Sequence, residues 1–398
     1  MEADWSDLPQ DLVGSLVKRP EVSLEHFIAL AGVCKSWRLA TTRTCRLTHQ
    51  VPFLMLPGNE DKDDNIREFY NFTREKIYHL DLPEAKGRQC YSSLGWLFTV
   101  PNYKQKEDFT VNLLNPLNHA QIKLPDFYTF KGHAGKLYSA GIRLFDDIKK
   151  FVLSSSPVGA SSYTVIALGE TKLQFCRRED EFWSSLRSKE KIDDITYYKG
   201  QFYIVHIDGS VAACNFQDPN QPRRKILVPQ MPSQLLPSFW TQKRLYLVET
   251  AGDLLVVSYT EHEYKFSEPT PNLSFRVFKV PISNGEWRSD LEVKNLGNIT
   301  LFLDDNSVFS VETSNDSECK KNCIYFFLSA MTLGLKSRLV NSNKRDLFGK
   351  TVIGIFNMED GKCELHFGPS FSRGKSKYSP NTVYCGCKWI QPNPYSKS

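Results

Sequence analysis

The amino-acid sequence predicts a mainly β protein: an N-terminal three-helix module followed by a six- or seven-bladed β-propeller. Beyond residue 51, short apolar runs alternate with turn clusters and no long helical period interrupts them. Aromatic residues make up 13% of the chain, with 26 Phe and 17 Tyr, a bias toward strands. Helical period is confined to residues 6–46.

In the N-terminal segment, Leu8, Leu12 and Leu16 recur every four residues on one face. Ser6 or Asp7 is placed to cap this helix, Pro9 sits in its first turn, and Asp11 suits the positive end of the helix dipole. Arg19-Pro20 ends it. Ser23 caps a second helix with Leu24, Phe27, Ile28 and Ala31 as its apolar stripe, and a third begins after Gly32 with Val33, Cys34 and Trp37. A module this small cannot bury all its apolar side chains and leans on a neighbour or partner. Two other readings stay open: helices that only cap the large domain, or a helix-turn-helix reader of DNA using Lys35, Arg38, Arg43 and Arg46. Against the second, Val33 and Trp37 stand where a reader needs polar side chains.

The strings Leu8-Pro9-Gln10-Asp11-Leu12 and Val33-Cys34-Lys35-Ser36-Trp37-Arg38 resemble the two conserved parts of the plant F-box pattern. The resemblance implies that Leu8, Pro9, Leu12, Leu16, Val33, Cys34 and Trp37 pack against a Skp-type adaptor, an apolar helix-to-groove contact. Asp11 replaces a frequent Glu, and Val13-Gly14 replaces a common Leu or Ile pair; Gly14 costs the helix ~1 kcal/mol relative to Ala.

In the large domain, candidate strands cover 51–56, 95–100, 151–154, 164–168, 201–207, 244–249, 254–259, 275–280, 299–303 and 323–327. Several are apolar on both faces, as in 202–207, which fits sheets stacked against other sheets. Units of an aromatic-rich strand, a Gly or Asp turn and another strand recur at 197–209 and 243–253, and in degraded form near 322–325 and 381–384. At ~45 to 50 residues per four-stranded blade, the chain beyond residue 51 supplies six or seven blades.

Stretches 52–57, 91–97, 114–117 with 122–125 (Ile-Lys-Leu-Pro), 246–257, 275–279, 296–297 with 301–303 and 322–326 resemble, in family order, plant F-box proteins whose C-terminal part is the domain of unknown function 295 class, a kelch-like propeller. The residues before Trp183 and after Lys279 depart from that pattern. Together the resemblances imply an F-box module at 1–48 and a propeller at 51–398. They imply the substrate-recognition subunit of a Skp-cullin-F-box ubiquitin ligase, with no catalysis of its own. A propeller interaction protein outside any ligase and a nucleic-acid-binding regulator are the alternatives.

Composition narrows the remaining classes. Fifty basic and 45 acidic residues give a net charge of +5, too balanced to demand a polyanionic partner, so nucleic acid is not expected. No run approaches the ~18 to 20 apolar residues of a membrane span, and the acidic N-terminus lacks a leader pattern, so no membrane and a place in cytoplasm or nucleus are expected. Phosphate loops, nucleophile elbows, kinase signatures and zincin helices are missing, which points away from an enzyme and from a cofactor. The pairs Asp146-Asp147, Asp193-Asp194 and Asp304-Asp305 read as turn residues beside strands. Cys319, Cys323, Cys363, His366, Cys385 and Cys387 meet no standard finger spacing, so no metal is expected.

In a propeller, packing between blades consumes the strands, so target binding falls to loops and the channel mouth. Loops of unusual length or charge are 59–67, 103–108, 177–180, 218–225, 261–272 and 341–350. Arg223, Arg224, Tyr264 and Phe266 are the candidate target-binding anchors, because aromatic and Arg side chains dominate interfaces. The clusters Arg177-Arg178 and Arg223-Arg224-Lys225 are expected in loops.

Overall fold

The computed structural model describes residues 8–17, 30, 33–34, 36–37, 40, 52–56, 65–101, 108, 110–116, 118–126, 148–157, 162–216, 218, 221–236, 242–250, 252–261, 273–313, 319–328, 350–370 and 388–390. In the N-terminal segment one helix is described, α1 (Gln10–Val17). The Pro9 carbonyl accepts its first bonds, from the N–H groups of Leu12 at 3.0 Å and Val13 at 3.3 Å. Leu30, Val33, Ser36, Trp37 and Ala40 are also helical, but most of the expected second and third helices lies outside the described residues.

The remaining described residues form six sheets. Blade 1 contains β1 (Phe53–Met55), β2 (Ile66–Asn71) and β3 (Lys76–Asp81). Blade 2 contains β4 (Arg88–Ser93), β5 (Trp96–Pro101), β6 (Val111–Leu114) and β7 (Gln121–Leu124). Blade 3 contains β8 (Lys150–Leu153), β9 (Thr164–Leu168), β10 (Lys172–Arg177) and β11 (Ser184–Arg187). Blade 4 contains β12 (Ile192–Tyr198), β13 (Gln201–His206), β14 (Val211–Asn215) and β15 (Arg223–Val228). Blade 5 contains β16 (Gln242–Thr250), β17 (Asp253–Glu261) and β18 (Leu273–Lys279). Blade 6 contains β19 (Ile299–Leu303), β20 (Val308–Glu312), β21 (Cys323–Leu328), β22 (Lys350–Asn357) and β23 (Cys363–Ser370). The last strand, β24 (Lys388–Ile390), pairs antiparallel with β1, so the C-terminal end of the propeller completes its first blade and closes the ring. The described residues thus make six blades, the lower of the two numbers expected.

Two blades depart from four strands. Blade 5 has three described strands; beyond them the chain returns to β18 only through the Phe278–Glu292 bridge and a 2.8 Å bond from the Val293 N–H to the Val277 carbonyl. Blade 6 has five, because β20 takes the innermost place and leaves β19 between it and β21, antiparallel to the first and parallel to the second.

Each inter-blade space holds its own apolar core, which explains why so many strands are apolar on both faces. Phe98 of blade 2 stacks on Phe151 of blade 3 at 4.7 Å between ring centroids, in a core that Trp183 completes. Five further cores join blades 3 and 4, 4 and 5, 5 and 6, 6 and 1, and 1 and 2. The last of these also receives Leu30, which at the same time packs against the helical module, so this side chain ties the two parts of the chain together. Turn chemistry follows the expected pattern at Gly209, which adopts φ +81° between β13 and β14; a Cβ there would meet Met231 Cβ at 2.6 Å.

Candidate functional site

The helical module divides its apolar residues into two groups. Val13 at 0% exposure, Trp37 at 7% and Ala40 at 3% form a small core, with Leu8, Leu30 and Cys34 packed against it. Leu12 and Val33 face out, 53% and 52% exposed. Pro9 is also exposed and Leu16 half-buried. The candidate adaptor residues therefore split: Leu12, Val33 and Pro9 are exposed, while Trp37 belongs to the core of the module. Val13, read from the sequence only as a departure from a family pattern, is its most buried residue.

In the propeller, the edge strands β4, β8, β12, β16, β20 and β24 line the central channel, with neighbouring inner strands in contact from β24 through β4, β8, β12 and β16 to β20. Side chains latch one inner strand to the next. The Lys150 ammonium lies 2.8 Å from Asp194 Oδ1, both buried, and the other oxygen of Asp194 accepts the Leu247 N–H at 2.9 Å. Asp193 Oδ2 accepts the Leu245 N–H at 3.1 Å, Ser93 Oγ accepts the Leu153 N–H at 3.1 Å, and Asp304 Oδ2 accepts the Trp389 N–H at 2.7 Å. Lys388 lies across the Tyr91 ring and donates to the Cys90 carbonyl. Asp193-Asp194 thus lies within β12 rather than in a turn, and its carboxylates are consumed as acceptors between blades. Asp304-Asp305 is in a turn as expected, between β19 and β20.

At the end of the channel where the inner strands begin, four successive blades contribute alternating charge: Lys149, Asp193, Arg244 and Asp305. Arg244 pairs with Asp305. Burial, the largest effect, raises the Asp193 carboxyl, and burial followed by the nearby Arg244 lowers the Lys149 ammonium. Sequence reasoning missed this ring, because its members are scattered through the chain and only the propeller brings them to one mouth.

The predicted target anchors fare differently. Tyr264 and Phe266 lie outside the described residues. Arg223 and Arg224 are in the outer strand β15 rather than a loop, since an outer strand exposes charged side chains along its edge and so reads like a loop, and Arg177 closes β10. Arg223 is exposed, its guanidinium 3.4 Å from Gln221 Oε1. Arg224 is engaged within the blade: it donates to Ser188 Oγ and to His206 Nε2 at 3.1 Å, and lies 3.8 Å from Glu190. Because Arg224 can only donate, Nε2 of His206 is the acceptor and the ring proton sits on Nδ1, facing Ser210 Oγ at 2.9 Å.

Cys319 and Cys323 are buried in the core between blades 6 and 1, and desolvation raises the Cys323 thiol; Cys385 and Cys387 lie outside the described residues. Among the described residues no group of three or more His, Cys, Asp or Glu side chains is placed to hold a metal ion, and no helix is long and apolar enough to cross a membrane. The buried charged groups of the inner strands, Lys150, Asp194 and Asp304, hold one blade to the next.

Comparison with known proteins gives the KIB1-4 beta-propeller as the matching family, over residues 69–357. F-box protein At2g17036 of Arabidopsis thaliana is 23% identical, the alignment covering 91% of this chain and 90% of that protein. F-box protein SKIP23 of the same plant is 24% identical and covered to 91% on both sides. Among solved structures, TolB from Acinetobacter baumannii superposes with a TM-score of 0.38 at 8% identity, over 80% of this chain and 63% of that one, a likeness too low to argue from.

Proposed function

We infer the function from one premise, that this chain belongs to the KIB1-4 beta-propeller family: it acts as an F-box-type substrate receptor, in which the propeller holds a target protein and the N-terminal helices hold a Skp-type adaptor of a cullin-based ubiquitin ligase. The names of its Arabidopsis relatives support the F-box half of this reading. The observation that carries it is the division within the module, where Leu12 and Val33 stay more than half exposed although Val13 and Trp37 beside them are buried. Two such side chains on one small helical unit are what an apolar adaptor groove would take up. The module at 1–48 and the propeller at 51–398 are the two functional halves in this reading, and the resemblance to kelch-like propellers and to the domain of unknown function 295 class is its finer, proposed part. The protein itself performs no chemistry; it raises the effective concentration of target at the ligase.

Cytoplasm or nucleus is the compartment this role requires, and imaging of the tagged protein in plant cells tests it. The central test is co-elution of the purified full chain with a purified Skp-type adaptor. A stable complex is expected, and its absence with the wild type overturns the ligase reading.

A further inference from the structure

We propose that the channel mouth at the start of the inner strands grips an acidic, partly apolar peptide segment of the bound target, with Lys149 taking its carboxylate and Ile207 its apolar neighbour. The proposal rests on the propeller being the target-binding half of the receptor.

Lys149 stands immediately before β8, and its half-buried ammonium donates to the Ile192 carbonyl at 3.3 Å. Among the described residues no carboxylate lies within ion-pair distance of it, whereas two neighbouring cations of this mouth have one: Lys191 pairs with Glu170 and Arg244 with Asp305. Asp193, the acid of the adjacent blade, is turned to the Leu245 N–H. Among the described residues Lys149 is therefore a cation without a contact ion pair, and the more distant charges of Asp193 and Glu170 only partly offset its desolvation. Its lowered basicity, from burial first and Arg244 second, is what a bound carboxylate would reverse. Ammonium groups removed from water gain most from a charge-assisted partner.

The same rim supplies an apolar contact. Ile192 pairs with His206 across blade 4, which brings the β13–β14 turn to the end of the blade where Lys149 sits. Ile207 opens that turn, donates its N–H to the Lys191 carbonyl at 3.1 Å, and is 40% exposed. A lone small anion would leave Ile207 uncovered; a peptide with an acid next to an apolar side chain satisfies both. The charges already paired on either side, Lys191 with Glu170 and Arg244 with Asp305, tolerate polar flanks of either sign.

The test pans a phage-displayed library of random dodecapeptides against the full chain and measures the affinity of the selected peptides for variants. Enrichment of Asp or Glu next to an apolar residue is expected, with at least tenfold weaker binding to Lys149→Met, severalfold weaker binding to Ile207→Ser, and unchanged binding to the rim control Lys191→Met. Lys149→Met keeps the aliphatic stem, and an unchanged urea unfolding midpoint shows that it folds. Failure to select acidic peptides, equal binding to Lys149→Met, or displacement of the peptide by acetate at the peptide's own dissociation constant each overturns the proposal. Adaptor co-elution of the same variants is read separately, so loss of this site and loss of the receptor reading are distinguishable.

Discussion

Trp183 donates its indole N–H to the Pro125 carbonyl at 2.8 Å, across the boundary between blades 3 and 2 and 58 residues along the chain. Trp287 makes the same bond to Pro229 at 3.0 Å, between blades 5 and 4 and over the same 58 residues. In each case a Pro just past an outermost strand presents its carbonyl to an indole that helps fill the core between the two blades. Trp183→Phe keeps most of the packing and orphans a carbonyl, an expected loss of about 1–3 kcal/mol. Trp183→Ala adds a cavity and should cost about 3–5 kcal/mol. Urea unfolding of the two variants checks the order; a Trp183→Phe variant as stable as the wild type would mean that the hydrogen bond contributes nothing.

This pairing shows where the sequence was readable and where it was not. Strands apolar on both faces were legible: 164–168 and 299–303 coincide with β9 and β19. Outer strands were not, since β11 (Ser-Ser-Leu-Arg) and β15 (Arg-Arg-Lys-Ile-Leu-Val) carry polar edges that have the composition of loops. Ile122-Lys-Leu-Pro125 stood out in the sequence, but its counterpart Ile226-Leu-Val-Pro229 did not, because only the partner tryptophans reveal the common role. At the module, helical period put Leu12 on the apolar face but could not separate side chains that bury themselves from those left for a partner. The innermost position of β20 has no local sequence sign, being decided by contact with β16.

The Lys150–Asp194 pair is buried on both sides, its partners 7% and 4% exposed, and Asp194 also anchors β16 through the Leu247 N–H. Lys150→Met should therefore destabilise by about 3–5 kcal/mol, since it leaves a buried carboxylate without its cation. Adding Asp194→Asn should recover part of the loss. A double-mutant cycle by urea unfolding measures it, and strictly additive losses would show that the two groups are not coupled.

Asp304 holds the ring closure, accepting the N–H groups of Trp389, Asn306 and Ser307. Burial outweighs these bonds and raises its carboxyl from 3.8 to about 6. Folding then takes up a proton between these two values, so the stabilising contribution is complete below the lower one and is lost as pH rises through about 6. Relative to Asp304→Asn, the wild type should gain on the order of 2 kcal/mol between pH values of about 7 and 4. The subtraction removes other carboxyls such as Glu292, which the Arg276 hydrogen bond holds down at about 2 and which acts in the opposite direction. Chemical unfolding at both pH values checks this; a constant difference would show that Asp304 ionises normally.

The helical module gives the sharpest contrast between contact and support. Leu12 is more than half exposed and its removal from the surface leaves the Val13–Trp37–Ala40 core intact, whereas Trp37 is part of that core. Leu12→Asp places a charge where an apolar adaptor groove would close, which should weaken co-elution with a Skp-type adaptor at least a hundredfold, about 3 kcal/mol, without changing amide-exchange protection of α1. Val33→Asp should behave in the same way. Trp37→Ala should lose adaptor binding through a different route, by a core truncation worth about 3–5 kcal/mol in a unit with little other core, and α1 should lose exchange protection with it. The unfolding midpoint of the propeller should stay within error for the two Asp variants. If Leu12→Asp kept full adaptor binding while Trp37→Ala lost it with α1 still protected, the roles assigned here to exposed and buried side chains would be reversed.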